Sequence, residues 1–221
     1  FGSSTKSLNR VQSAVFETVF GSQKNTLVCA PTGAGKTFVA LLCVLEVVNR
    51  HAARWLEGDD PAHWNLAAVG EALAAHKIVY IAPLKALAQE VVSKFNSQLG
   101  ATLGLKVEEL TGDVQLSRRQ ADAAHILVAT PEKWDVVTRK QGAEGSLASR
   151  CRLLVVDEIH LLAEERGAVL ECIVARTRRL VEASQQRGRL VGLSATLPNY
   201  GDVADFLACP DETAFFFGNE F

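Results

Sequence analysis

Five short apolar runs, each ending in a small or polar group, limit what this chain can fold into more than any other feature of it. They are TLVCA (Thr26 to Ala30), KIVYIAP (Lys77 to Pro83), HILVATP (His125 to Pro131), LLVVDE (Leu153 to Glu158) and RLVGLSAT (Arg189 to Thr196). None alternates apolar with polar residues, so each reads as a strand buried on both faces. Between them lie helical patterns: FVALLCVLEVVNR, LKALAQEVVSKFNSQL, the polar SRRQADAA, and AVLECIVARTRRLVEASQQ. Strand and helix in repetition predict an α/β domain with a parallel sheet covered by helices on both faces. Ligands of such sheets bind beyond the carboxyl ends of the strands, and the polar residues of these runs fall there.

The length of 221 residues and the 48% hydrophobic content fit a single domain over 1–221. Residues 1–25 read as a helical lead-in, and residues 49–76 break the rhythm as a helix extension plus surface insertion with no chemistry assigned. A formal net charge of −2 gives no global attraction to a polyanion, so any nucleic-acid contact must be local and structured. Arg118, Arg119 and the RTRR run at 176–179 read as solvated helix faces. The five cysteines form no CxxC pair and sit mostly in apolar runs, as reduced core residues of an intracellular protein do; neither they nor the histidines have zinc-ligand spacing. FGSSTKSLNR lacks an apolar signal core and no apolar stretch reaches bilayer length, so a soluble chain without a membrane partner is expected.

The first run feeds APTGAGKT. A strand, a glycine loop and a helix opening with Lys36 and Thr37 form the context in which backbone N–H groups cradle phosphates. Gly33 and Gly35 permit backbone angles and a close approach that a side chain would block. Lys36 is suited to the β- and γ-phosphates of a nucleotide, and the Thr37 hydroxyl to Mg²⁺. Ala30 stands where the general G-x-x-x-x-G-K-[ST] pattern has glycine. A loop of this kind needs a second strand end that holds the metal, and LLVVDEIH supplies it. Asp157 would hold Mg²⁺ through water and Glu158 would polarise the attacking water, with the loop and the pair expected at neighbouring strand tips.

APTGAGKT, DEIH and SAT, in this order, resemble motifs I, II and III of the superfamily-two DExH-box helicases. The longer strings LNRVQS, APLKALAQE, ELTGD, TPEKWDVVTRK, DEIHLLAEERGAVLE and GLSATLPNYGDVADFL resemble the superkiller-like group within it. The similarity is to the first RecA-like domain of its tandem-cassette helicases, those of the spliceosomal snRNP and of the activating-signal cointegrator complex. It runs from about Leu8 to the carboxyl terminus.

The resemblance implies a RecA-like fold that binds ATP and Mg²⁺. It places Gln12 and Asn9 with the loop residues Thr32, Gly33, Ala34, Gly35, Lys36 and Thr37 at the nucleotide. Gln12 would read the adenine edge, and Phe1 could supply an aromatic shelf beside it. Lys36, Asp157 and Glu158 would be catalytic, with Thr37 and Asp157 on the metal. His160, Ser194 and Thr196 would couple nucleotide state to the bound strand through hydrogen bonds to the DEIH carboxylates. Pro83, Leu84, Lys85, Thr111, Gly112, Asp113, Thr130, Pro131, Glu132 and Lys133 would grip the sugar-phosphate backbone of single-stranded or duplex RNA or DNA without reading bases.

The resemblance also implies a second RecA-like domain, which would supply arginines to the transition state and is expected to lie outside this chain. The expected protein is thus the ATP-binding half of an enzyme that couples ATP hydrolysis to translocation and unwinding. It would be nuclear and/or cytoplasmic and sit in a larger multiprotein complex. The alternative is a non-catalytic nucleotide-binding scaffold cassette. A GTPase would carry an NKxD motif and a small-molecule kinase an arginine-rich lid, and neither is found.

Overall fold

The computed structural model describes residues 7–58, 60–113, 116–140, 146–163, 167–184 and 188–218; the shelf expected of Phe1 lies outside these. Helix α1 (Arg10–Gly21) leads into β1 (Thr26–Cys29), which the glycine loop joins to α2 (Lys36–Ala52). Two single 3₁₀ turns and α3 (Leu66–Ala74) precede β2 (Lys77–Ile81) and α4 (Lys85–Phe95). After α4 the chain continues through a π turn into the single turn α5 (Ala101–Leu103), then β3 (Val107–Leu110), α6 (Arg118–Ala123), β4 (Ile126–Ala129) and α7 (Pro131–Lys140). Strand β5 (Cys151–Val156), α8 (Gly167–Ser184), β6 (Arg189–Ser194), α9 (Tyr200–Phe206) and β7 (Ala214–Phe216) complete the order.

The seven strands form one sheet in the order β3-β4-β2-β5-β6-β1-β7, and every pairing is parallel. All five apolar runs form strands, each ending before the run's last residues: β5 stops at Val156, leaving Asp157 and Glu158 beyond the ladder. Strand β3, VEEL, lacks the continuous apolar signal because it is a sheet edge, where Glu108 and Glu109 are only half-buried. The PEKWDVVTRK segment is also helical: Pro131 opens α7 where a missing N–H costs nothing, and Trp134 is 1% exposed.

Alternate residues of each central strand enter two separate cores, the signature of a sheet covered on both sides. Val28, Tyr80, Val155 and Leu193 pack under α1, α2, α3 and α4, while Cys29, Val79, Val156 and Leu190 pack under α6, α7, α8 and α9. Within 49–76, α2 runs on to Ala52, and α3 contributes the fully buried Val69 and Leu73 to the first core. Arg176 departs from the solvated-face reading of its run. It bonds Asp135 Oδ1 at 2.7 Å and donates to Thr138 Oγ1 at 2.8 Å, joining α8 to α7.

Two devices hold α1 at its ends. Asn9 and Gln12 form a reciprocal capping box at its start. At its end the buried Arg189 guanidinium donates to the carbonyls of Thr18, Val19 and Lys24 and to Thr26 Oγ1. The Thr18 and Val19 carbonyls belong to the last turn of the helix, so the cation serves their hydrogen bonding and the helix dipole, while Lys24 and Thr26 tie it to the start of β1.

His51 at the end of α2 stacks on His76 before β2, with ring centroids 3.8 Å apart. Burial, followed by the charges of His51 and Arg152, depresses His76 to about 4 from an ordinary 6.5. The unfolded chain therefore takes up the proton first as pH falls. The neutral ring's contribution is complete above pH 6.5 and is lost between pH 6.5 and about 4. Urea unfolding across that window should show a falling stability limb, and His76→Phe should make it shallower.

Candidate functional site

The loop from Pro31 to Gly35 turns sharply because Gly33 and Gly35 sit at φ +86° and +83°, the left-handed region that a side chain disfavours. Gly35 also faces the Gln12 amide: a Cβ on it would run into Nε2, so the Gln12 side chain would have to shift. Asn9 Nδ2 donates to the Ala34 carbonyl at 2.9 Å, so the α1 capping box also pins the loop. The oxygen of the Gln12 amide accepts from Asn9 N at 3.0 Å, which leaves its nitrogen beside the loop as the group with spare donors. A cleft of about 410 Å³ opens between Asn9, Arg10 and Val11 on one side and Pro31 to Ala34 on the other. Arg10, exposed at the first position of α1, is a cation at this cleft that the motif strings did not single out.

Lys36, 8% exposed as a residue, bends its ammonium back to the carbonyls of Ala30 at 3.0 Å and Pro31 at 3.4 Å. Among the described residues it makes no ion pair, so its charge stays available inside the curl of the loop. Thr37 follows in the first turn of α2. The loop strand β1 and the carboxylate strand β5 are not neighbours: β6 lies between them, and its last residue, Ser194, is fully buried at the rim. This corrects the expected placement at adjacent tips. The Ala30 N–H donates to the Ser194 carbonyl at 3.0 Å, tying the start of the loop to the end of β6.

Asp157 accepts from Tyr80 Oη at 2.6 Å through Oδ2 and from Glu158 N–H at 3.0 Å through Oδ1. Burial pushes its carboxyl above the usual range, opposed by the Tyr80 hydrogen bond and by the positive charge of Lys36. Glu158 adopts φ +49°, a strained value for a residue with a side chain, and its buried Oε2 has no hydrogen-bond partner among the described residues. His160 Nδ1 lies 3.3 Å from that oxygen and 3.5 Å from Ser194 Oγ. The hydroxyl of SAT thus meets the histidine of DEIH and not its carboxylates, and Thr196 is exposed. A half-buried acidic pair, with Glu158 Oε2 approached by the His160 ring alone among the described residues and with an ammonium and a donor-rich loop nearby, fits a triphosphate with a divalent cation.

A second cleft, about 650 Å³, lies at the carboxyl ends of β2, β3 and β4. It brings together Pro83, Leu84 and Lys85 with Gly112 and with Thr130, Glu132 and Lys133, and adds Ala86 and Val136. Three expected residues do not line it. Thr111 is buried with its hydroxyl donating to Glu109 at 2.7 Å, Pro131 is buried at the start of α7, and Asp113 forms an ion pair with Lys85. Leu84 and Val136 are 53% and 42% exposed, so the cleft is apolar as well as cationic.

The family model for DEAD/DEAH box helicases matches residues 9–203. The chain belongs to this family. It is 50% identical over 223 residues to activating signal cointegrator 1 complex subunit 3 of Dictyostelium discoideum, covering 100% of this chain and 9% of that protein. The U5 small nuclear ribonucleoprotein 200 kDa helicase of Drosophila melanogaster is 49% identical over 217 residues, covering 98% and 9%. The RQC trigger complex helicase SLH1 of Saccharomyces cerevisiae is 45% identical over 212 residues, covering 96% and 10%. The chain therefore spans about a tenth of the length of these relatives. These matches agree with the superkiller-like resemblance carried by the longer strings.

Among solved structures, DUF1998 helicase MrfA superposes with a TM-score of 0.70 at 22% identity, over 94% of this chain and 30% of that one. A hypothetical ATP-dependent RNA helicase from Sulfolobus tokodaii gives 0.64 at 23%, over 92% and 51%. These two likenesses show the RecA-like fold. Membership of the family implies nucleotide binding, and no described helix is long and apolar enough to cross a membrane.

Gly35→Ala tests the loop geometry. The new methyl meets Gln12 Nε2 and a positive φ together. Nucleotide affinity should fall about tenfold or more by titration calorimetry, given a strain of about 1–2 kcal/mol added to loss of the cradle.

Proposed function

We propose that this chain is the ATP-binding half of an ATP-dependent nucleic-acid helicase, one RecA-like domain that works against a second such domain. The observation that carries the proposal is the placement of the glycine loop with Lys36 and of the Asp157/Glu158 pair on either side of one buried strand, β6. Thr32 to Thr37 would hold the triphosphate through main-chain N–H groups, with Lys36 neutralising its terminal charge. Asn9 and Gln12 would approach the base from α1, the Gln12 amide nitrogen donating. Thr37 and Asp157 would hold Mg²⁺, which when bound supplies charge stabilisation to the phosphoryl group.

Glu158 orients and polarises the attacking water. Its backbone is strained, and its Oε2 makes no hydrogen bond among the described residues beyond the 3.3 Å approach of His160 Nδ1, so the carboxylate keeps acceptor capacity for a water. His160, within reach of both Glu158 and Ser194, would report the state of that carboxylate to β6. Thr196, exposed just beyond, is left for a contact outside this domain. The second cleft would take the sugar-phosphate backbone of RNA or DNA. Lys85 and Lys133 would contribute charge, Thr130 a hydroxyl, and the loops at Pro83 and Gly112 main-chain groups. Asp113 and Thr111 would act there by holding Lys85 and the end of β3. A few aimed donors allow a chain of net charge −2 to bind a polyanion. The expected setting is a larger nuclear or cytoplasmic complex.

Two measurements on the intact protein test the reading. Glu158→Gln should keep nucleotide binding while steady-state hydrolysis drops by about 10²-fold or more, the size of a lost general base. Unchanged turnover would remove Glu158 from the chemistry and favour the scaffold reading of the cassette. Lys133→Ala combined with Thr130→Ala should reduce nucleic-acid-stimulated hydrolysis more than the unstimulated rate. Equal loss of both would mean that the second cleft does not bind the strand.

A further inference from the structure

Tyr80 is the one hydroxyl in the KIVYIAP run, and it is 1% exposed at the centre of the sheet. Its oxygen donates to Asp157 Oδ2 at 2.6 Å, a bond between residues 77 positions apart in the chain. The register explains the meeting. Tyr80 pairs with Val155, and Asp157, two residues beyond Val155, lies over the same face of the sheet. Asp157 is also tied to β2 through its backbone, whose N–H donates to the Ile81 carbonyl at 3.0 Å. With Oδ1 accepting from Glu158 N–H, both carboxylate oxygens are directed by named donors. The Tyr80 ring is fixed in turn by Phe95, which meets it edge-on with centroids 5.8 Å apart. Phe95 is the last residue of α4, the helix whose first residue, Lys85, lines the second cleft.

We propose that Tyr80 is a positioning residue for the divalent cation of the nucleotide: its hydroxyl sets the orientation of the Asp157 carboxylate and ties it to the element that ends in the nucleic-acid cleft. The inference rests on the proposed assignment of Asp157 to the metal. An outer hydrogen bond of this kind fixes which oxygen lone pairs face the ion. Losing it typically weakens metal binding by about 10–100-fold. A phenylalanine keeps the ring, its contact with Phe95 and its place in the core, and removes only the donor.

The test is calorimetric titration of the full chain with a non-hydrolysable ATP analogue, in EDTA and across a Mg²⁺ series, with melting temperature recorded for each variant. In the parent protein Mg²⁺ should tighten nucleotide binding. In Tyr80→Phe the Mg²⁺ concentration for half of that gain should rise about tenfold, while affinity in EDTA stays unchanged. Phe95→Leu, which loosens the packing but keeps the hydroxyl, should lower the melting temperature and leave the Mg²⁺ midpoint near the parent value. A Tyr80→Phe midpoint equal to the parent's would overturn the inference, as would equal losses in EDTA and in Mg²⁺, which would make Tyr80 merely structural. No Mg²⁺ gain in the parent itself would instead sink the metal assignment on which the inference stands.

Discussion

Burial of a parallel sheet on both faces leaves polar groups one place to go, and the rest of the structure follows from that constraint. The central strands carry almost no exposed atoms, so charge can collect only where the ladders end. At the carboxyl rim Lys36 curls onto two carbonyls, and Asp157 is met by a tyrosine hydroxyl and a main-chain N–H. Each group is solvated by the protein without being neutralised. A rim in that condition is poised for a charged ligand, because both signs are already desolvated and lie near each other.

Strand order divides the rim into two halves. Strands β5, β6 and β1 carry the carboxylate pair, the SAT serine and the glycine loop, while β2, β4 and β3 carry the second cleft. The border between them is the β2·β5 pairing, which is also where Tyr80 and the Ile81 carbonyl grip Asp157. On the proposed reading, nucleotide and nucleic acid are therefore neighbours across a single strand pair. The device that relates them is short, rigid and built from hydrogen bonds. The Glu158, His160 and Ser194 contacts form a second link on the other side of β5, towards β6.

Much of this was legible in the sequence because it rests on local pattern. Continuous β-branched runs announced the buried strands, and two glycines before a lysine announced a loop with positive φ. What escaped depends on which elements become neighbours. Nothing in DEIH or GAGKT says that β6 will separate them, since strand order is set by how the helices pack and not by the runs themselves. Tyr80 was hidden because an apolar run masks one hydroxyl whose partner lies in another strand. Strand β3 was hidden because an edge tolerates Glu108 and Glu109. Asn9 and Gln12 were placed at the nucleotide by resemblance, whereas their capping box, which fastens α1 to the loop through Ala34, emerges from geometry. Arg176 shows the opposite case: a charge run that looked solvated supplies a residue that bridges two helices.

The central claim is that one rim site, bounded by residues 31–37 and 157–160, takes a triphosphate with its magnesium. Amide hydrogen exchange, read by mass spectrometry with and without a non-hydrolysable ATP analogue and Mg²⁺, addresses it most directly. Protection should rise in peptides covering the glycine loop, the DEIH turn and the end of β6, and remain unchanged in the 66–76 segment, which leads into the amino end of β2. Protection confined to regions away from the rim, or none at saturating analogue, would contradict the account.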